Sequence, residues 1–487
     1  VYTGDANAAA TYQLNSEIGL KSIVGLQYIK EKFTRNGASG SQLPPGATTV
    51  TAGAIISADE ASVESITLGF FGEQSISFKD RLYLTGAVRS DKNSAFGNNF
   101  SRVYYPKLSL SYVMSDEPYF PKSSTISSLR FRGAFGASGR QPGGNDAIPF
   151  LVPSTSAVDL ADTPSLILSA LGNPDLKPER SEEIEAGFDL GLFDNTVNLE
   201  VTAYRKRSKD ALIAVIVPPS AGASTTRFEN IGAIRNKGIE AALNMQLLNQ
   251  KSLGWDATIS FAYNDNKVLD LGGTPPQIGT VNSIKEGFPI NGYFLQPYTY
   301  NDANGDGVLA LTELTVGDTA VYVGAPNHPL EASLFTGIDI FDRKLRIQGL
   351  VDVKSGGYQL NGTERIRCDN RLNCRGAADP TASLVDQAAA LAVRVHPSRT
   401  QIGFVEDNSF VRFRELSATY TLPKSFAGLF QANRMTFTAS ARNIAVITGY
   451  KGIDPESGYF GANSGFVSDF QTQPPPTYFT FKLNVAF

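Results

Sequence analysis

The chain has 487 residues, with 43 Lys and Arg against 47 Asp and Glu, 2 His, 26 Pro and 45 Gly, and a formal net charge of −4. That balance offers no basic field for nucleic acid, and the scarcity of His argues against His-based acid–base or metal catalysis, so the chain reads as no enzyme. No stretch reaches the ~18 consecutive apolar residues of a membrane helix; a barrel stays open, because its strands alternate and keep mean hydropathy low.

The opening VYTGDANAAATYQL lacks an initiator Met and a basic-then-apolar leader. It reads as a processed or truncated start that says nothing about compartment. From there period-two alternation recurs along the whole chain. In SLRFRGAFGAS, Leu129, Phe131, Gly133 and Phe135 alternate with Arg130, Arg132 and Ala134. In TVNLEVTAYRK, Val197, Leu199, Val201 and Ala203 alternate with Asn198, Glu200, Thr202 and Tyr204. RMTFTASARN sets Met435, Phe437, Ala439 and Ala441 against Thr436, Thr438, Ser440 and Arg442, and the last run, YFTFKLNVAF, ends its apolar face on Phe487. Each predicts a strand with one apolar and one polar face. The acidic Glu182, Glu183 and Glu185 fall in such a strand and read as solvated charge. The best short helix is LVDQAAALAV, 384–393.

Connections between these strands alternate in length. Short ones lie near 14–17, 79–81, 120–126, 192–195, 247–253, 341–344 and 423–433. Long ones lie near 34–60, 93–101, 139–178, 217–227, 267–330, 357–403 and 449–476, and the two sets interleave. A Greek-key sandwich has no reason to gather its long loops at one end. An antiparallel up-and-down transmembrane β-barrel does, with short periplasmic turns and long extracellular loops. The connections imply about fifteen strands, and because single-chain bacterial barrels have even strand numbers, the expectation is a chain that starts partway round a larger barrel.

Some stretches carry possible chemistry. FRGAFGASGRQPGG, 131–144, is Gly-rich but lacks the strand–loop–helix context of a phosphate cradle, and its GASGR does not fit a hydrolase elbow. DANGDGVLALTE, 302–313, fits a twelve-residue calcium loop. Asp302, Asn304 and Asp306 take positions 1, 3 and 5, Gly307 permits the sharp turn, Val308 offers its carbonyl and Glu313 closes the shell. The text before it, GYFLQPYTY, reads as strand, so this is no helix–loop–helix hand; the plain alternative is an Asx-rich turn without metal. Cys368 and Cys374 share one polar stretch, RCDNRLNCRG, and read as a disulfide of an oxidising compartment, since neither His328 nor His396 is near in sequence to complete a metal site. Loop aromatics Tyr293, Phe294, Tyr298, Tyr300, Tyr358, Tyr450, Tyr459 and Phe460 could stack on sugar rings, grip peptide or pack the loops together.

Several stretches together resemble one family, the SusC/RagA-type TonB-dependent outer-membrane transporters. They are FKDRLYLTGAVRSDKNSAFG (78–97), NPDLKPERSEEIEAGFDLGLFDNTVNLEVTAYRK (173–206), ENIGAIRNKGIEAALN (229–244), NSFVRFRELSATYTLP (408–423) and ARNIAVITGYKGIDPE (441–456), in the family's order. The resemblance implies an all-β barrel of about 22 strands in which residues 1–487 form the C-terminal portion. By the same resemblance, the plug domain, its TonB-binding box and the first strands are expected to lie outside this chain. It further implies a place in the outer-membrane lipid of a Gram-negative cell and TonB-driven import of glycan or peptide. The partner implied is a SusD-like surface lipoprotein closing over the barrel. The alternating aromatics and Phe487 also resemble the signal by which outer-membrane assembly machinery recognises its clients. NPDLKPE itself is expected to be structural, with Pro174 and Pro178 fixing an extended turn into a strand. Two rival readings are an outer-membrane anchor whose long loops bind surface partners, and a secreted β-rich binding module.

Overall fold

A computed structural model of the chain describes residues 1–99, 102–121, 123–158, 161–218, 220, 226–279, 281–459 and 467–487; Phe460 lies outside them. The alternating segments become fifteen strands of one antiparallel sheet. They are β1 (Tyr2–Gln13), β2 (Ile18–Ser41), β3 (Ile55–Phe78), β4 (Leu82–Asn93), β5 (Val103–Val113), β6 (Ile126–Arg140), β7 (Glu179–Leu192) and β8 (Val197–Lys209). Then follow β9 (Ala233–Asn249), β10 (Gly254–Asp270), β11 (Leu330–Ile340), β12 (Leu345–Ser355), β13 (Phe410–Thr421), β14 (Arg434–Thr448) and β15 (Tyr478–Ala486). Each pairs with the next in order, without a crossover. The chain divides into two compact units: Val1–Tyr112, Arg132–Glu185 and Lys206–Ala233 form the first, and Val113–Phe131, Ala186–Arg205 and Ile234–Phe487 the second.

The tight turns are made by residues that accept left-handed backbone. Lys79 and Asp80 hold φ of 52° and 53° between β3 and β4, the pair of positive angles a two-residue hairpin turn requires. Phe193, Asp194 and Asn195 (52°, 56°, 61°) and Phe341, Asp342 and Arg343 (57°, 54°, 62°) repeat the device. Asp and Asn tolerate this region better than most side chains do.

The first long connection is shorter than the sequence suggests. β2 and β3 run 24 residues each, or ~80 Å at 3.3 Å per residue, more than twice a ~30 Å hydrocarbon core. Their outer halves stay paired because small polar and charged side chains pair across the ladder. Arg35 meets Asp59 at 3.3 Å, and the Ser39 and Ser57 hydroxyls lie 2.7 Å apart. Other long connections hold strands of their own: Phe150–Val158 with Ala161–Ala170, and Leu212–Ile216 with Thr226–Asn230. The connection after β10 contains a four-stranded sheet, Gln277–Ile278, Asn282–Ile284, Gly292–Leu295 and Val321–Gly324.

Apolar side chains of the main sheet align across strands and stay exposed. Trp255 faces Ile338, which faces Ile347; Ile259 faces Leu334; Tyr420 faces Phe437, which faces Leu483. All of these are exposed. Rows of this kind exceed what a soluble monomer leaves to water, and they are what a lipid-facing sheet requires. No helix among the described residues is long and apolar enough to cross a membrane. The largest buried cluster lies in the connections of the second unit, around Tyr293, Leu360, Cys368, Cys374, Val393 and Phe404.

Candidate functional site

Ion pairs stud both faces of the sheet, Lys30, Glu182 and Lys237 having the strand parity of the exposed Leu26, Ile184 and Ile239. In the first unit Lys30 meets Glu64 at 2.8 Å, Lys107 meets Glu73 at 3.5 Å, and Glu182 lies between Lys209 (2.7 Å) and Arg180 (3.3 Å). Glu183 faces Lys206 at 3.8 Å, and Glu185 is exposed. In the second unit Arg346 grips Asp256 with both terminal nitrogens at 2.9 Å and reaches Asp339 at 2.9 Å. Arg235 and Lys237 share Asp265 at 2.8 and 3.4 Å. Opposite signs sit together in each of these groups, so charge is balanced locally on both faces. Exposed pairs of this sort add little stability, ~0–1 kcal/mol each; their effect is to keep charged groups wetted and spaced.

NPDLKP is a knot between three connections of the first unit. The Pro174 and Leu176 carbonyls accept the Asn99 and Gly97 amides at 3.1 and 2.7 Å, and Asn99 donates to Asp175 at 2.7 Å. The Lys177 amide donates to Asn230 at 2.8 Å, and its ammonium meets Asp210 at 2.9 Å. Leu176 is fully buried. A β-carbon on Gly97 would stand 2.1 Å from the Pro174 oxygen, so only glycine fits this approach. The motif braces loops, as its two prolines suggest.

The connections of the second unit form a cap. Cys368 and Cys374 are buried in it and joined as a disulfide. The helix Leu384–Arg394 is capped by Ser383, whose hydroxyl accepts the Asp386 amide. Gln387 of this helix holds the 302–313 loop, donating to the Gly307 carbonyl at 2.9 Å and accepting the Leu309 amide at 2.9 Å. Asp302 accepts the Gly305 and Gly307 amides (2.9 and 3.0 Å), and Asp306 accepts Val308 (2.8 Å) and the Asn304 amide group (2.9 Å). Glu313 spans the loop to Ala303 and Ala310, both at 2.9 Å. The donor set is all oxygen, as calcium asks. The loop carboxylates, however, face backbone amides: among the described residues the gathered ligand trio is Glu364 with Cys368 and Cys374, whose sulfurs are already bonded to each other.

A clamp roots the cap in the sheet. Arg412 of β13 is almost fully buried and donates from one nitrogen to both Asp454 oxygens at 2.7 Å, while its Nε lies 2.7 Å from Glu456. Arg414 bridges Asp352 and Glu456, both at 2.5 Å. The motif stretches 408–423 and 441–456 therefore meet through arginine and carboxylate as well as through the β13–β14 ladder. Beside them Asp469 is fully buried, accepting the Thr363 amide at 3.1 Å. Glu406 accepts from Asn361 (3.2 Å) and the Lys451 amide (2.8 Å), and burial holds its carboxyl above the ordinary carboxylate range. Burial pushes the Tyr298 phenol up to about 12, raises Tyr293 and Tyr450 likewise, and lowers His328.

Tyr293, Phe294 and Tyr450 are buried and pack loops together. Tyr293 donates to the Val467 carbonyl at 3.1 Å, and Phe294 packs with Phe288 and Tyr322. Tyr298, Tyr300 and Tyr358 are half-buried, whereas Tyr459 is exposed. A cleft of about 540 Å³ in the cap, lined by Gln296, Asp318, Asp369, Arg399 and Gln401 over Phe294, offers planar polar groups on an apolar floor. Sequence reading gave no sign of it, because its residues come from four separated segments. The same distance hides the Arg412–Asp454 pair.

The family model described as TonB dependent receptor-like, beta-barrel matches residues 1–444. TonB-dependent receptor P26 of Formosa agariphila is 25% identical over 473 residues, covering 86% of this chain and 46% of the relative. TonB-dependent receptor SusC of Bacteroides thetaiotaomicron is 22% identical over 456 residues, covering 86% of this chain and 43% of the relative. The chain thus spans about half the length of the curated relatives it matches. The solved RagAB peptide importer in its closed-closed state shares the fold, with a TM-score of 0.81 and 20% identity over 100% of this chain and 55% of that chain. An uncrossed antiparallel strand order and lipid-facing apolar rows are what such a barrel needs, and the chain belongs to the TonB-dependent receptor β-barrel family of the outer membrane.

Proposed function

We propose that this chain forms barrel strands and outside loops of a SusC/RagA-type importer, which takes up a glycan or peptide with a SusD-like lipoprotein as lid. Energy would come from a TonB complex acting on a plug domain outside residues 1–487. The observation that carries the reading is the joining of a family match over residues 1–444 to a loop cap rooted in the sheet by Arg412 and Arg414. A cap held this firmly suits a fixed docking platform for a lid, and the ion pairs opposite the apolar rows, such as Lys107–Glu73 and Arg346–Asp256, suit passage of a polar cargo. Phe487 and the aromatics before it are read as the assembly signal. The test is deletion of the receptor gene and growth on separate glycan and peptide sources. Loss of growth on one class, restored by the intact gene but not by one lacking its TonB-binding box, is the expected result. Unchanged growth on every source, with surface proteins lost from the cell, would favour a partner-binding anchor instead.

Calcium belongs to this proposal as a stiffener of the 302–313 loop, held by Asp302, Asn304, Asp306, the Val308 carbonyl and Glu313. Binding would require Glu313 to trade its two amide partners for the cation. Calcium should slow hydrogen exchange of residues 302–313 in the intact receptor and leave the Asp302→Ala and Glu313→Ala variants unaffected. Equal exchange with and without calcium in the intact loop would remove the idea.

A further inference from the structure

The connection from β13 to β14 differs from the other tight turns because it folds back over the sheet. Lys424–Gly428 form a helical turn after Pro423, and Ala427 packs on Met435, which is 3% exposed. Hydrogen bonds from the Leu422 amide to the Met435 carbonyl (3.0 Å) and from the Ala432 amide to the Ala427 carbonyl (3.1 Å) fix it there. The rest of the segment points outward: Phe426, Leu429 and Phe430 are 41%, 77% and 54% exposed. The Phe426 and Phe430 rings stand 5.5 Å apart.

Across from them run Phe437 and Leu483, neighbours in the β14–β15 register, with Met435 and Val485 as the next rung. Between the helical turn and these strands lies a groove of about 460 Å³ whose lining residues are all apolar. Its floor continues the outward apolar face of β14 and β15, which in this family meets lipid. Its place is the short-turn side of the sheet, where a barrel of this family meets the periplasmic leaflet. A polar cargo or peptide backbone would lose its hydrogen bonds to water in such a lining and regain none. A hydrocarbon chain loses nothing of the kind. Lys424 begins the turn, is exposed, and has no ion pair among the described residues.

We propose that this groove is a fixed phospholipid site: one acyl chain of a periplasmic-leaflet phospholipid lies between the 424–430 turn and β14–β15, with its phosphate at the level of Lys424. The occupied groove would set the depth of the last hairpin in the membrane, with Phe426 and Phe430 as interfacial anchors. The proposal rests on the family assignment and stands whether or not the receptor imports glycan or peptide.

The test uses the receptor at its native length in vesicles of phosphatidylethanolamine and phosphatidylglycerol, doped with a phospholipid carrying a diazirine on its acyl chain. After irradiation, adducts are mapped by peptide mass spectrometry. Labelling of 422–437 and 478–487 should exceed that of the lipid-facing Trp255, Ile259, Leu334 and Ile338 about tenfold, the scale of a 1.4 kcal/mol preference. Phe430→Ser should bring it down to that level, Phe430→Leu should keep it, and heat-dependent gel migration should show both variants folded. Even labelling over the whole apolar face in the unaltered receptor overturns the proposal, and that comparison needs no variant. Enrichment unchanged in folded Phe430→Ser overturns it as well.

Discussion

Arg412 is the side chain on which the cap depends most. Its guanidinium and the Asp454 carboxylate are both almost without solvent, so removing one partner leaves the other charged, buried and unpaired, at a cost of ~3–5 kcal/mol. Arg412→Met should release the 449–459 segment, and trypsin should then cut after the exposed Lys451 much faster than in the parent protein. An unchanged cutting rate would show that the ladder alone holds the segment. Glu406 makes a prediction of opposite sign to the usual carboxylate. Burial raises its folded-state value, so its contribution is fully present below the ordinary carboxylate range and is lost as pH rises through the raised value. The Asn361 amide, which donates to the Phe404 carbonyl at 2.7 Å in the segments around Glu406, should therefore lose protection from hydrogen exchange from acidic toward neutral pH, after correction for intrinsic exchange. Glu406→Gln should flatten that slope. None of this was legible in the sequence: Arg412 and Asp454 lie 42 residues apart, and no periodicity marks a pairing at that distance. Gly97 shows the same limit, since its neighbour oxygen belongs to Pro174.

At the level of elements the sequence spoke more clearly. Period-two alternation and turn residues such as Phe341-Asp342-Arg343 located the strands, because side-chain direction and left-handed backbone are local properties. What it missed were strands without a clean apolar face. The outer halves of β2 and β3 and the small sheets inside the long connections are held by neighbours, not by their own pattern. The helix Leu384–Arg394 extends the expected 384–393 by one residue, and Gln387 and the disulfide segment tie it into the cap. Cys368 and Cys374 close a loop with a sequence separation of 6, for which chain-entropy arguments give ~2–3 kcal/mol. Replacing both with Ser should raise hydrogen exchange in 384–394 and leave β10–β12 unchanged. Equal exchange in both proteins would mean that packing around Tyr293 and Val393 suffices.

The whole molecule is an up-and-down antiparallel sheet of the TonB-dependent receptor family, with aligned exposed apolar rows on one face and ion pairs on both. The interleaving of short and long connections was readable because a barrel sorts its loops by side of the membrane. Substrate was not readable, because the aromatics that suggested sugar stacking are largely buried or half-buried. The import proposal is tested most directly by uptake of fluorescent glycans and peptides into cells carrying the receptor at its native length, with and without an active TonB complex. The account predicts receptor-dependent uptake of one class that falls to background when TonB is lost. Uptake of that class which persists without TonB, or which is the same in cells lacking the receptor, would contradict it.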